Sequence, residues 1–197
     1  SIGLAGVSLG ANVLLKWLGE QGDATPPQVR AAVAVSTPFD LARSSRRIDV
    51  GFTRLYQWNF LRSLRRKAMA KLERFPDVAV AGRVAESRTM WEFDDRFTAP
   101  LHGFRDAADY YQQSSSIGHL ARIGRPTLLL SARDDPFHPP DVLNDVAAIA
   151  ASNPSLVTEF HPRGGHVGFV GGPPWHPTYY AEARIARFLA AHLGSGW

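Results

Sequence analysis

Residues Ile2-Gly3-Leu4-Ala5-Gly6-Val7-Ser8-Leu9-Gly10-Ala11-Asn12 decide how the rest of the chain is read. An apolar run drives into Ser8, and Val13-Leu14-Leu15-Lys16-Trp17-Leu18 then continues with helical spacing. That pattern predicts a short buried strand, a very tight turn and a helix, with the serine at the apex. Gly6-Val7-Ser8-Leu9-Gly10 has the G-x-S-x-G form of a nucleophile elbow, which has meaning only in this strand–turn–helix setting. Such a turn holds its serine in a strained conformation with the hydroxyl above the sheet. Glycine is expected at both 6 and 10, because a side chain at either position would collide where strand and helix nearly touch.

Working outward, Val29-Arg30-Ala31-Ala32-Val33-Ala34-Val35-Ser36 is a near-continuous apolar run, as in a strand buried on both faces of a parallel sheet. Residues from about 41 to 121 read as mostly helical, with no comparable strand. That is too long for an ordinary crossover, so it predicts an inserted helical cap plus one returning sheet helix. Pro126-Thr127-Leu128-Leu129-Leu130-Ser131 is the next strand. A helix from Pro140 to Ala151, a strand from Leu156 to Phe160 and an amphipathic helix from Tyr179 to Leu193 follow. Strands alternating with helices indicate an α/β fold with a doubly wound parallel sheet, residues 1–197 forming one domain with the cap inserted.

In open α/β sheets, ligands bind at the carboxyl ends of the strands. Past the Leu128–Leu130 strand stands Ser131-Ala132-Arg133-Asp134-Asp135-Pro136-Phe137, and past the Leu156–Phe160 strand stands His161-Pro162-Arg163-Gly164-Gly165-His166-Val167-Gly168-Phe169. Serine, acid and histidine thus occur in the chain order of a hydrolase triad. A serine hydroxyl is a poor nucleophile at neutral pH, so His166 is expected to accept its proton and later return it to the leaving group. Asp135 would hold the imidazole in the needed tautomer, favoured over the competing Asp134 because it lies three residues past Ala132 and directly before Pro136. The backbone N–H of Leu9 would donate to the oxyanion. Gly164, Gly165 and Gly168 would let the loop reach across to Ser8. His102, His119, His138, His161, His176 and His192 read as ordinary histidines, and His161 with His166 does not form a metal pair by spacing.

Composition sets the outer limits. A chain of 197 residues with 45% hydrophobic content can bury one sizeable core. It has no cysteine, which removes disulfides and thiolate chemistry. No apolar run approaches the roughly 18 residues needed to span a bilayer. No signal peptide is visible, so the expected location is cytoplasmic. The net charge of +4 is uneven, since ten basic residues between Leu41 and Phe75 face only Asp49 and Glu73. Without aromatic interleaving of a nucleic-acid motif, this reads as a helix with a solvated basic face, and nucleic acid is not an expected partner. A basic cap could also touch a membrane surface.

Gly6–Asn12, Pro38-Phe39-Asp40-Leu41, the block from Glu92 to Phe104, Asp109-Tyr110-Tyr111, Ala132–Phe137 and Gly164–Phe169 together resemble the YheT-like α/β-hydrolases, also grouped as AB hydrolase family 4. The resemblance spans essentially the whole chain. It implies an α/β-hydrolase fold and a serine hydrolase acting on carboxylic esters, with relatives that handle acylglycerols and phospholipids. It places the charge-relay residues on Ser8, Asp135 and His166, and no cofactor or metal is expected. Ala11 stands where the family usually has a second glycine. The family also has a long segment before its nucleophile strand, so this sequence reads as a C-terminal part lacking the first strands and the second oxyanion donor. Such a part is expected to be inactive and aggregation-prone alone, because the Ile2–Val7 strand becomes an unprotected apolar edge. Phe52, Leu55, Tyr56, Trp58, Phe60 and Leu61 are candidates for either an acyl pocket or the cap's own core. An acyltransferase with the same triad, or a non-catalytic hydrolase-like binding module, are the competing readings.

Overall fold

A computed structural model describes residues 1–75 and 83–194. One sheet contains four parallel strands, ordered β1 (Ile2–Val7), β2 (Val29–Val35), β3 (Thr127–Ala132) and β4 (Leu156–His161). Helix α1 (Leu9–Gln21) joins β1 to β2. Between β2 and β3 come α2 (Leu41–Ile48), α3 (Thr53–Arg74), α4 (Met90–Phe93), α5 (Ala99–Leu101) and α6 (Ala107–Ser114). Helix α7 (Pro140–Ala151) joins β3 to β4, and α8 (Tyr180–Leu193) follows a small hairpin, β5 (Val170–Gly171) with β6 (Thr178–Tyr179). The chain divides into a sheet unit, Ser1–Asp40 with the residues from Ser115 onward, and a helical unit, Leu41–Ser114.

In the sheet unit, the unbroken apolar runs of β2 and β3 follow from burial on both faces. Ala32, Ala34 and Leu129 pack with Leu15 and Leu18 of α1 and Val142 and Val146 of α7. Their neighbours Ala31, Val33, Val35, Leu128 and Leu130 pack with Ala181 and Phe188 of α8. Each fully buried leucine of this kind stabilises the fold by roughly 2 kcal/mol. The sequence reads β1 as an apolar strand that becomes an unprotected edge where the family's first strands are absent. β1 is an edge of the described sheet, and Ile2 and Val7 are 48% and 47% exposed. β1 is paired with β2 alone, so the backbone groups on its other side have no ladder partner among the described residues.

The expected returning helix is also different. Ser116–Arg122 is a 3₁₀ segment lying against α1, not a full helix. The buried side chain of Asn12 accepts the Ser116 N–H at 2.8 Å, and the Asn153 amide donates to the carbonyls of Leu120 and Ile123 at 3.0 Å each. The contact with α1 is so close that a Cβ on Gly19 would lie 2.2 Å from the His119 carbonyl oxygen. These bonds take up backbone groups that a continued helix would have used internally. Of the run expected to be helical, residues 76–82 lie outside the described residues.

The helical unit has its own core, in which Leu61, Ala68 and Leu72 of α3 meet Val84 and Phe93. A second cluster joins Leu41, Ala107 and Tyr111. Among the aromatic and apolar residues singled out near α3, Leu61 belongs to this core, whereas Phe52, Leu55, Tyr56, Trp58 and Phe60 are exposed. The Arg62 guanidinium lies over the Trp58 ring, 5.0 Å from its centroid.

Candidate active site

Ser8 is built by the join of β1 and α1. Its φ of 54° and ψ of −126° lie where side-chain-bearing residues seldom sit. The backbone on either side imposes this. The Ser8 N–H donates to the Val35 carbonyl at 2.8 Å, as a last rung of the β1–β2 ladder. Its carbonyl accepts from Ala11 N–H at 2.9 Å and Asn12 N–H at 3.2 Å, opening the helix. Ser8 therefore ends a strand and starts a helix at once, and the strain sits on one residue. A Cβ on Gly6 would lie 2.7 Å from the Ala11 Cα, which makes glycine obligatory there. The parallel expectation for Gly10 fails: a Cβ at that position meets nothing within 4 Å, because it points away from β1 on the first turn of α1.

The Ser8 hydroxyl makes no capping bond to α1. It lies instead 2.9 Å from Nε2 of His166. His166 Nδ1 is 2.8 Å from Asp135 Oδ2. A carboxylate can only accept, so Nδ1 carries the ring proton and Nε2 is left as an acceptor for the Ser8 hydroxyl. The His166 and Phe137 rings meet edge to face, with centroids 4.6 Å apart. Ser8, Asp135 and His166 thus come together from three separate strand ends of the sheet unit. Leu9 opens α1, so its N–H is one of the first-turn amides for which a helix has no internal acceptor.

The two aspartates after β3 point to different tasks. Asp135 is buried; besides His166, its Oδ1 accepts the Phe137 N–H at 2.9 Å. Asp134 is exposed, and its Oδ1 accepts the N–H groups of Gly164 and Gly165 at 2.9 Å each. In the loop itself, a Cβ on Gly164 would come within 2.7 Å of the Phe169 ring, while Gly165 has φ +62°. The first glycine is there for close packing and the second for its backbone conformation. The hydrogen bond from Phe169 N–H to the Gly164 carbonyl, 2.9 Å, closes the loop.

His138 is the site neighbour that the sequence did not reveal. It is buried, with Nε2 2.9 Å from the Ser36 carbonyl and 3.4 Å from Asp135 Oδ2. Burial pushes its pKa below the ordinary imidazole range, against the opposing pull of Asp135, so the ring is neutral at neutral pH and Nε2–H is the donor. The only available signal was its place three residues after Asp135 in a proline-rich turn. Asp135, His138 and His166 also form the one group of three or more, among the described residues, whose carboxylate and imidazole ligand atoms all lie within 4.8 Å of one another. The hydrogen bonds just described account for that closeness. His161 bonds to Glu159 at 3.1 Å and takes no part in the cluster.

No family model matches the chain. It is 40% identical over 190 residues to a protein of Escherichia coli named "Putative esterase YheT", covering 95% of this chain and 54% of that protein. It is 34% identical to a monoacylglycerol lipase of Saccharomyces cerevisiae, covering 94% of this chain and 41% of that one. With the phospholipase ABHD3 of Mus musculus the identity is 29%, covering 98% and 46%. The chain therefore spans about half the length of the curated relatives it matches. Among solved structures, it aligns with a mutant esterase at a TM-score of 0.55 (17% identity, 98% of this chain and 54% of that one). An esterase of Pyrococcus furiosus aligns at 0.51 (19% identity, 98% and 54%). The structural likenesses show the α/β-hydrolase fold. Taken with 40% identity to YheT along nearly its whole length, they show a chain of α/β-hydrolase fold that is similar to YheT.

Proposed function

We propose that this chain carries the nucleophile, base and acid of a serine hydrolase that cleaves carboxylic esters. The observation that carries this reading is the unbroken run of hydrogen bonds from Ser8 through His166 to Asp135. In the reaction, Ser8 Oγ attacks the ester carbonyl carbon while its proton passes to Nε2 of His166. The carbonyl π pair moves to oxygen, and the resulting oxyanion takes a hydrogen bond from the Leu9 N–H. One such donor contributes about 3 kcal/mol of transition-state stabilisation. The tetrahedral intermediate collapses, the imidazolium protonates the departing alkoxide, and an acyl-serine remains. Water then attacks the acyl group by the same relay and releases the acid. Asp135 keeps Nδ1 protonated and stabilises the imidazolium in both halves.

Lipid esters are the substrate class, a reading supported by relatives named as a monoacylglycerol lipase and a phospholipase. The exposed face near α3 fits a peripheral contact with an anionic membrane surface. Phe52, Leu55 and Trp58 are exposed at its start, and Arg62, Arg66 and Lys67 follow within three turns. No helix among the described residues is long and apolar enough to cross a membrane. A cytoplasmic location belongs to the same reading and is checked by cell fractionation.

The test is steady-state hydrolysis of a monoacylglycerol and of a short p-nitrophenyl ester by the full-length protein. Ser8→Ala is expected to lower kcat by at least about 10⁴-fold on both. Wild-type protein that cleaves neither ester would defeat the reading. Sedimentation with vesicles containing phosphatidylserine should show binding that weakens as salt rises. Binding indifferent to salt and to Arg62→Glu with Arg66→Glu would remove the membrane contact alone.

A further inference from the structure

Asp134 stands outside the proton relay, yet its carboxylate is committed to the loop that bears the relay's base. Two consecutive amides, those of Gly164 and Gly165, converge on its single Oδ1. Successive N–H groups can aim at one oxygen only where the backbone turns back on itself, and the φ of +62° at Gly165 is that turn. The next residue is His166. Asp134 and Asp135 are adjacent on one turn, so they grip the same three-residue stretch. Asp134 holds its backbone, and Asp135 holds its imidazole.

The turn that presents them is itself anchored. Arg133 N–H donates to the His161 carbonyl at 2.8 Å, extending the β3–β4 pairing by one rung. A Cβ on Gly164 would lie 2.9 Å from the Ala132 Cβ, so the loop rests directly on the end of β3. The far limb of the loop is tied by Phe169 N–H to the Gly164 carbonyl and by Tyr180 N–H to the Phe169 carbonyl. Asp134 ties the near limb.

We propose that Asp134 is a positioning residue that fixes the His166 loop at the height where Nε2 reaches the Ser8 hydroxyl. The inference rests on the reading of Ser8 as nucleophile and His166 as base. An exposed carboxylate contributes little to overall stability. A catalytic group displaced by about 1 Å can lose about 10²-fold in rate. Removing Asp134 should therefore be felt in turnover and hardly at all in folding.

The experiment compares Asp134→Ala, Asp134→Asn and Asp134→Glu in the full-length protein, with ester hydrolysis and thermal unfolding measured on each. Asp134→Ala is expected to lower kcat by about 10²-fold with KM changed less than about twofold. Asp134→Asn keeps an Oδ1 that accepts both amides and should stay within about fivefold of wild type. Asp134→Glu keeps the charge but moves the oxygen by a methylene, and should resemble the alanine variant. Unfolding midpoints should agree across all four proteins. Full turnover in Asp134→Ala would overturn the inference. So would an asparagine variant as impaired as alanine, or a glutamate variant as active as asparagine, since charge or folding would then be the cause. A wild-type protein that hydrolyses no ester would strike at the underlying reading instead, and so is told apart from failure of the positioning role.

Discussion

Asp94-Asp95 in the helical unit and Asp134-Asp135 in the sheet unit share a dipeptide and an arrangement. In each, one carboxylate is buried among side chains, while its exposed neighbour accepts backbone amides. Asp95 takes the Ala107 N–H at 3.0 Å, as Asp134 takes those of Gly164 and Gly165. The buried members differ in what they meet. Asp94 accepts the hydroxyls of Tyr111 and Thr98, both at 2.6 Å, the latter brought round by a π-helical turn over Asp94–Thr98. Burial pushes the Asp94 pKa up, against the two hydroxyl donors, and pushes the Tyr111 pKa up as well. Asp135 meets an imidazole, which can gain a proton and pass it on. A buried carboxylate beside hydroxyls can anchor helices; beside an imidazole that reaches a serine, it can serve chemistry. The partner, not the aspartate, decides.

The strongest way to break that comparison is to make the same substitution in both pairs. Asp135→Asn should lower kcat by about 10⁴-fold through the wrong imidazole tautomer. Asp94→Asn should leave kcat at the wild-type level, as measured on the same ester. Next in size, Tyr111→Phe strips a donor from a buried carboxylate and should lower unfolding stability by about 2 kcal/mol in urea titrations, with the Ser8 site unaffected. Smaller again is the pH dependence of Asp94. Its folded pKa is raised, so its contribution is fully present below the ordinary aspartate pKa and is lost as pH rises through the raised value. Wild type should therefore lose stability relative to Asp94→Asn, by about 1 kcal/mol, as pH climbs out of the ordinary carboxylate range. Denaturant midpoints from pH 4 to pH 8 would show it; parallel curves would deny it. The least effect is expected at Gly10→Ala, where open space and better helix propensity allow a gain of up to about 1 kcal/mol without loss of turnover.

The interior of the sheet was the part most legible in the sequence. β2 and β3 are sandwiched between helices, so their apolar runs have no polar interruptions to confuse the boundaries. The edge place of β1 is not written in its own residues, because an apolar strand looks the same at an edge as in the middle; it followed from the family resemblance, which implies strands before Ile2–Val7. The β5–β6 hairpin has only two residues per strand, too few to carry an alternation. For the site, the order serine, acid, histidine is written in the chain. Asp135 is favoured over Asp134 by its place three residues past Ala132 and directly before Pro136, and it is Asp135 that the backbone leaving β3 turns to the imidazole. His138 stayed hidden because the Ser36 carbonyl it bonds is 102 residues away. Gly10 fits the elbow pattern, yet only Gly6 is required by its surroundings.

The central claim is that Ser8 is a nucleophile activated by His166. It is tested most directly by reacting the full-length protein with a fluorophosphonate and mapping the modified peptide by mass spectrometry. The account predicts a single adduct on Ser8, abolished by Ser8→Ala and greatly slowed by His166→Ala. An adduct on another residue, or labelling that persists undiminished in Ser8→Ala, would contradict it.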